Sequence, residues 1–426
     1  MDIVENKELN LKLYTDTLDN GMKVIIIPIK NTDKKFVAWT TRYGSIDNIF
    51  IDPKTKSKIE VPDGVAHYLE HKMFEQENGK DSLYVLMGLG LEANAYTTDS
   101  HTSYHFSGTS NFYKGLDELM DYFQHPYFTD ENVEKERGII GQEIRIGEDE
   151  PFNKLYYNCM ECLYKNSPVR IDVAGTKDTI AKITKETLYT CYNTFYHPSN
   201  TFMCVVGDFE PTDTVKEIGK RLLSNENQAE IERIYPEKDI GINEKKREDK
   251  AEVKMPIFMI GLKDDIESNE NISDIKKLVY SEMIFNIIFG SSSEFYKKLY
   301  EDGLLMSELD GSFEHTKVSS HYLIYGESKK PEEVYKLFIE EMEKHEISEE
   351  EFERERKRMY GIKVLSSDDV TDIGRTEVVT EMLGYSILDS IDIIKNAKLE
   401  DVEKFKKELF KESNSVLSIV KSKWVL

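Results

Sequence analysis

A helix-turn-strand pattern occurs twice in this sequence, about half a chain apart. The segment 195–206 runs from the end of a helical stretch through a polar turn into an apolar strand, and 409–420 repeats that order. The apolar runs begin at Phe202 and Val416, an offset of 214 positions. In a chain of 426 residues, too long for one ordinary core, this recurrence predicts two copies of one domain. Coincidence between two common helix-to-strand connections is the alternative.

Strand and helix patterns do not alternate regularly along either half. Strand patterns cover 21–28 and 35–43, which we expect to pair as a hairpin, and another covers 251–262. Apolar residues at helical spacing predict helices at 65–76, 82–87, 130–146, 275–288, 294–299, 331–344, 349–364 and 399–410.

These patterns predict the fold class and the domain layout. Helices follow runs of strands, which favours an α+β fold over a doubly wound sheet. The stretch 224–250 is rich in charged residues and has little apolar periodicity, so it resembles a solvated linker. We therefore predict an N-terminal domain at 1–223, a charged linker at 224–250 and a homologous C-terminal domain at 251–426.

The composition excludes several classes of function. Aspartate and glutamate outnumber lysine and arginine by 80 to 56, which gives a formal net charge of −24. A surface this acidic repels phosphate backbones and anionic lipid, so we expect no nucleic-acid partner. No apolar run approaches the roughly 20 residues of a membrane-spanning helix. Because residues 1–6 have no secretory signal pattern and the chain has only 4 cysteines, we expect a cytoplasmic protein without a disulfide framework.

One segment carries the residue types of a hydrolytic metal centre. The pattern His67-x-x-Glu70-His71 lies in a predicted helix, where the two histidines are one turn apart on the same face. Two imidazoles in that relation can bind one Zn²⁺ ion. Glu70 is then placed to act as general base on a zinc-bound water, which is the chemistry of peptide-bond hydrolysis. A helix with surface histidines and an exposed acid is the alternative.

A catalytic zinc ion needs a third protein ligand, and the acidic helix predicted at 130–146 offers candidates. Glu136 and Glu143 are two helical turns apart and therefore share one face. Burying two acids on one face is costly unless a cation lies opposite them. We assign Glu143 as the third ligand and Glu136 as the acid that orients a histidine. On spacing alone, Glu148 is a rival ligand, and a solvated acidic helix fits the pattern equally well.

These motifs resemble the inverted-motif zinc peptidases of the pitrilysin/insulinase family. The shared features are the pattern His67-x-x-Glu70-His71, the pair Glu136-Arg137 followed by Glu143, and the tract Asn94-Ala95-Tyr96-Thr97 after Gly88 and Gly90. The tracts 42–48, 64–75 and 138–144 are similar to those of the short bacterial YmfH-type members. The resemblance covers essentially the whole chain, including the duplication.

The resemblance implies a fold, a metal and a role for each site residue. Each half is expected to be an α/β sandwich of the mitochondrial-processing-peptidase type, with helices on an antiparallel-rich sheet, and to enclose a chamber with a partner chain. By resemblance, His67, His71 and Glu143 hold Zn²⁺, in preference to Glu148, and Glu70 is the base.

The resemblance also implies a substrate-binding edge. In that family the strand matching 93–98 lies at the edge of a sheet near the metal. A peptide can add to such an edge through main-chain hydrogen bonds, and we assign Asn94 and Ala95 to that contact. An ordinary internal strand is the alternative.

The second half departs from the family pattern. Active members carry an Arg and a Tyr there, which bind the substrate and the developing oxyanion, but Tyr300 and Met306 stand at the matching positions. Tyrosine has no positive charge and methionine no useful donor. The second half also lacks a zinc motif, since Ser281 stands 214 positions after His67. We therefore expect a homologous partner subunit that supplies the Arg and the Tyr, or a homodimer.

These observations together predict a zinc-dependent metallopeptidase. It would hydrolyse small unfolded peptides or leader peptides as the metal-bearing subunit of a heterodimer. A non-catalytic or weakly active peptide-binding subunit of a processing complex is the alternative, since the Arg and Tyr are missing.

Overall fold

A computed structural model of the chain describes residues 1–223, 228–267 and 272–424. The strands are β1 (Asp2–Asn6), β2 (Leu11–Thr17), β3 (Lys23–Pro28), β4 (Lys35–Thr41), β5 (Ile49–Ile51), β6 (Lys58–Glu60), β7 (Glu92–Thr97), β8 (Thr102–Gly108), β9 (Thr201–Gly207), β10 (Glu232–Arg233), β11 (Lys246–Ala251), β12 (Ile257–Lys263), β13 (Asp310–His315), β14 (Ser320–Glu327) and β15 (Ser415–Ser422).

The helices of the described residues are named in the same way. They are α1 (Val65–Met73), α2 (Ser82–Gly88), α3 (Phe112–Gln124), α4 (Asp130–Asp149), α5 (Pro151–Leu163), α6 (Lys177–Ile180), α7 (Lys185–Phe195), α8 (Pro211–Arg221), α9 (Asp274–Phe289), α10 (Glu294–Glu301), α11 (Pro331–Lys344), α12 (Glu349–Ser366), α13 (Val370–Met382), α14 (Ile387–Asn396) and α15 (Leu399–Leu409). None of these helices combines the length and the apolar character that crossing a bilayer requires.

The duplication predicted from the sequence is present in the two large sheets. One sheet has the order β1-β2-β3-β9-β4-β8-β7 and the other β11-β15-β12-β14-β13. The run β3-β9-β4-β8-β7 has the same pairing as the second sheet. Its first pair is parallel and its others are antiparallel, and the same holds for β11-β15-β12-β14-β13. The prediction of two similar α+β domains with antiparallel-rich sheets is therefore confirmed.

The predicted hairpin of 21–28 with 35–43 is wrong. Strand β9 lies between β3 and β4, pairing parallel with β3 and antiparallel with β4. The turn residues at 19–21 precede β3 and connect it to β2 instead. The error has a physical reason, because the strand that separates β3 from β4 comes from far along the chain and leaves no local signal.

The charged stretch predicted as a linker is only partly a connection. Its residues 224–227 lie outside the described residues. Its last part is strand β11, which pairs with β15 at the edge of the second sheet. This strand alternates between exposed and half-buried residues and ends at the buried Ala251, so an edge position accommodates its charges.

Two compact units divide the chain, and each contains one large sheet. One unit comprises 1–144, 172–235 and 364–388, and the other comprises 145–171, 236–363 and 389–426. These ranges differ from the continuous domains predicted at 1–223 and 251–426, because two helices are exchanged. Helix α13, from the second half of the sequence, packs on β4 and β9, whereas α5, from the first half, packs on β11, β12 and β15.

Each sheet buries one face under helices of its own half and the other under the exchanged helix. In the first unit, alternate residues of β3 and β4, such as Val24 and Trp39, belong to the core shared with α1, α3 and α7. Phe36 is buried on the opposite face, where it faces Gly374 of α13. The layered arrangement places α1 against β7 and β8 at one end of the first sheet, where the motif residues lie.

Candidate active site

Helix α1 is held in place by its apolar face and by the glycine that precedes it. Gly64 precedes the helix with φ of 93°, and a Cβ atom there would lie 2.5 Å from the carbonyl oxygen of Ala174. Only glycine fits both constraints. The Tyr68 hydroxyl donates to the Val133 carbonyl of α4. The buried residues of the helix are Val65, Ala66, Tyr68, Leu69, Lys72 and Met73. This packing leaves the two histidines and Glu70 half-buried on the remaining face.

Both imidazoles present the same nitrogen to one carboxylate. The Nε2 atom of His67 lies 3.6 Å from Oε1 of Glu143, and the Nε2 atom of His71 lies 3.5 Å from Oε2. One ligand atom from each residue lies within 4.8 Å of the others. Among the described residues this is the one such group of histidine, cysteine or acidic side chains, and Glu148 is not in it. Two imidazole nitrogens and a carboxylate oxygen are a donor set that zinc accepts, so these residues fit a catalytic zinc ion.

Glu136 contacts Nδ1 of His71, the ring nitrogen that does not face Glu143. Its Oε1 lies 3.1 Å from Nδ1 of His71, and its side chain is only 12% exposed. Burial would raise the pKa of Glu136, yet the hydrogen bond to His71 and the charges of His71 and Lys72 hold that pKa below its ordinary value. Glu136 is thus an anion that fixes the orientation of the imidazole.

The two histidines have different electrostatic surroundings. Burial, followed by the nearby His71, lowers the pKa of His67 to about 3, so that His67 is neutral at physiological pH. Burial also opposes protonation of His71, but the hydrogen bond to Glu136 and the charges of Glu70, Glu136 and Glu143 leave its pKa raised. A cation between these side chains would interact favourably with the same acids that now raise the pKa of His71.

Glu70 is held by a hydroxyl group from β7. Thr97 Oγ1 donates to Glu70 Oε2 over 2.6 Å, the length of a hydrogen bond to an ionised carboxylate. Burial raises the pKa of Glu70, while this hydrogen bond opposes the rise. A carboxylate with a raised pKa is a better proton acceptor near neutral pH. Thr97 is not among the site residues predicted from the sequence, although it belongs to the tract Asn94-Ala95-Tyr96-Thr97.

The residues assigned to substrate contact lie on an edge strand. Strand β7 carries Asn94 and Ala95, pairs with β8 on one side and has no partner strand on the other among the described residues. The Ala95 N–H donates to Asn94 Oδ1 over 2.9 Å. Because α1 packs against β7, the unpaired edge and the motif helix belong to one end of the first sheet.

The second unit carries none of the motif chemistry at the matching positions. Ser281 is buried in α9, the helix whose place in the second unit corresponds to that of α1. Tyr300 and Met306 are both exposed, and the ring of Tyr300 stacks on Tyr296 with 5.8 Å between centroids.

Two family descriptions match this chain, over successive ranges. Residues 57–177 match the family described as Insulinase (Peptidase family M16), and residues 182–359 match the Peptidase M16 inactive domain. The chain is 35% identical over 410 residues to the uncharacterized zinc protease YmfH of Bacillus subtilis, which covers 94% of both chains. It is 25% identical over 402 residues to an uncharacterized zinc protease of Rickettsia felis, covering 90% of this chain and 92% of that one.

Solved structures show the same fold over the whole length of the chain. The crystal structure of a putative M16-like peptidase from Alicyclobacillus acidocaldarius superposes with a TM-score of 0.91 at 31% identity, covering 98% of this chain and 99% of that one. A protease from Helicobacter pylori superposes with a TM-score of 0.81 at 19% identity over 96% and 99% of the chains. With its sequence relatives and its duplicated sheets, the chain belongs to the insulinase family of peptidases, family M16.

Proposed function

We propose that this protein is a zinc-dependent metallopeptidase that hydrolyses peptide bonds in small unfolded peptides or leader peptides. One observation carries the proposal. The Nε2 atoms of His67 and His71 converge on the carboxylate of Glu143, with Glu70 on the same helix as the two histidines. Several relatives are named as zinc proteases, which supports the same interpretation.

His67, His71 and Glu143 would hold the zinc ion through two nitrogens and one oxygen. When bound, zinc supplies Lewis-acid chemistry, which polarises a peptide carbonyl and acidifies water. Glu143 is half exposed at the surface of α4, so the site is open to substrate and solvent. Glu136 keeps His71 oriented through Nδ1, the ring nitrogen that does not face Glu143.

Glu70 is the general base in this proposal. One of its oxygens accepts the Thr97 hydrogen bond, which leaves the other oxygen to take the proton of the attacking water. The same carboxyl group then returns that proton to the departing amine. Burial of Glu70, which raises its pKa, favours both transfers near neutral pH.

The unpaired edge of β7 would position the substrate. A peptide that adds to this edge pairs its main chain with Asn94 and Ala95 and needs no particular side chain for that contact. Such binding selects extended segments, which folded proteins rarely offer at their surfaces. The proposal therefore assigns unfolded peptides as the substrate class.

A homologous partner subunit would supply the Arg and Tyr that this chain lacks, and a homodimer is the simpler variant of the same idea. Tyr300 and Met306 are exposed at the positions in question, so neither is committed to a core. The same two residues support a second candidate, a peptide-binding subunit with little or no hydrolytic activity.

The test uses Glu70→Gln, which keeps the shape of the side chain and removes the base. We expect the variant to retain about one zinc per chain and to lose about 10²- to 10⁴-fold in turnover of a quenched fluorescent unfolded peptide. Glu77→Gln, at an exposed acid beyond α1, is the matched control and should turn over normally. Unchanged turnover in Glu70→Gln would refute the assigned role of Glu70.

The partner is tested by size exclusion and by activity. The chain alone should be weakly active, and adding a homologue that carries the Arg and Tyr should raise peptide turnover. High activity of a monomer would exclude the heterodimer. Zinc binding and peptide binding without any turnover in the assembled complex would favour the scaffold candidate.

A further inference from the structure

Lys72 is an unusual residue for the interior of this unit. It follows the ligand His71 directly, and its side chain is 0% exposed in α1. Burying an ammonium group is costly unless anions compensate for the lost water. A lysine buried in this way therefore needs an anionic partner that offsets its lost hydration.

Two carboxylates accompany the buried ammonium group. Lys72 Nζ donates to Oε2 of Glu75, which lies just beyond the end of α1. It also lies 3.6 Å from Oε2 of Glu136, which comes from α4. Glu75 is 32% exposed at its side chain and Glu136 only 12%, so the contact with Glu136 is the better shielded of the two.

The Glu136 carboxylate joins Lys72 to the candidate metal site. Its Oε2 faces the Lys72 ammonium, while its Oε1 lies 3.1 Å from His71 Nδ1. In the described part of the chain, these two side chains are its only ion-pair partners. The carboxylate is therefore fixed at both oxygens, and Lys72 is the partner that can act only as a donor.

We propose that Lys72 is a positioning residue for the metal site, acting through Glu136. An ammonium group can only donate, so Lys72 holds Oε2 of Glu136 in place and leaves Oε1 directed at His71. Oε1 accepts a hydrogen bond from His71 Nδ1, which places the histidine proton there. The lone pair of His71 is then on Nε2, the nitrogen that faces Glu143 at 3.5 Å.

This inference rests on the proposed zinc site, and its test measures zinc affinity directly. The variants are Lys72→Met, which keeps the unbranched stem and removes the charge, Glu136→Gln, and the double variant. Zinc affinity is measured by chelator competition, with folding checked by circular dichroism in EDTA. We expect Lys72→Met to bind zinc about 10-fold or more weakly, as is typical when a group behind a ligand is lost.

The double variant decides whether Lys72 acts through Glu136. If it does, Lys72→Met/Glu136→Gln binds zinc as Glu136→Gln does, because the pathway is already broken. A further 10-fold loss in the double variant, or wild-type affinity in folded Lys72→Met, overturns the proposal. The double variant removes the buried cation together with its anion, so this comparison stands even where Lys72→Met alone does not fold.

Glu75→Gln is the matched control for a purely structural role. It removes the other carboxylate that Lys72 contacts but has no contact with His71 among the described ion pairs. We expect its zinc affinity to stay within about 3-fold of wild type, and a loss as large as that of Lys72→Met would also overturn the proposal. A wild-type protein that binds no zinc would instead refute the proposed function.

Discussion

Replacing Thr97 with valine removes the hydroxyl that donates to Glu70 while keeping the shape of the side chain. The hydrogen bond is 2.6 Å long and ends on a half-buried carboxylate. Hydrogen bonds to charged groups contribute about 1.5–3 kcal/mol. Losing this donor should raise the pKa of Glu70, because the hydrogen bond favours the ionised carboxylate.

The expected effect on catalysis follows from the sign of that change. Glu70 must be ionised to accept a proton, so its contribution is present above its pKa and is lost as the pH falls below it. Burial already raises this pKa, and Thr97 opposes the rise. In Thr97→Val the acid limb of the pH–rate profile should therefore move to higher pH. About 1.36 kcal/mol corresponds to a tenfold change in rate, so losing a hydrogen bond of about 1.5–3 kcal/mol should lower turnover on the acid side by about 10- to 100-fold.

The assay is kcat/KM for a fluorogenic unfolded peptide across the pH range in which the wild type is folded and zinc-loaded. Thr97→Ser is the control, because it keeps the hydroxyl and loses only a methyl group. Its acid limb should coincide with that of the wild type. An acid limb that does not move in Thr97→Val, or that moves equally in both variants, would show that this hydrogen bond does not tune Glu70.

Three further expectations concern stability. Gly374→Ala should lower the free energy of unfolding in urea by about 1–3 kcal/mol, because its Cβ would lie 2.2 Å from a ring carbon of Phe36. Gly361→Ala, whose Cβ would meet no described atom within 4 Å, should raise it by up to about 1 kcal/mol. Lys277→Met should lower the free energy of unfolding by about 3–5 kcal/mol, because Lys277 contacts Asp264 at 2.9 Å and its loss leaves that fully buried carboxylate without its counterion. Adding Asp264→Asn should recover much of the loss. Chelation should lower the melting temperature of the zinc-loaded protein, with a stability loss of about 4 kcal/mol when free zinc had been 1,000-fold above its Kd.

The sequence predicted those parts of the site that a single element determines. The spacing of His67, Glu70 and His71 is a property of one helix, and the structure has that helix at Val65–Met73. The convergence of Glu143 on the two histidines depends on how α4 packs, so the spacing of the acids alone left alternatives that the resemblance had to decide. The zinc role of these residues stays a prediction.

Features that depend on distant packing were not predictable. Lys72 appears in the sequence as an ordinary helix charge, because nothing nearby indicates that a glutamate from another helix will neutralise it in the interior. The exchange of helices α5 and α13 was not predicted for a related reason. Each contacts a sheet formed by the other half of the chain, so no continuous range of residues corresponds to a unit.

The exchange of α5 and α13 has a consequence for biosynthesis. When β9 has left the ribosome, the strands of the first sheet are all present, but the helix that covers Phe36 comes only at Val370–Met382. Until then one face of that sheet exposes apolar side chains to water, and a nascent chain or truncated fragment is prone to aggregation. The first unit can therefore be completed only after α13 has been synthesised, and splitting the gene between the halves should yield two poorly soluble products.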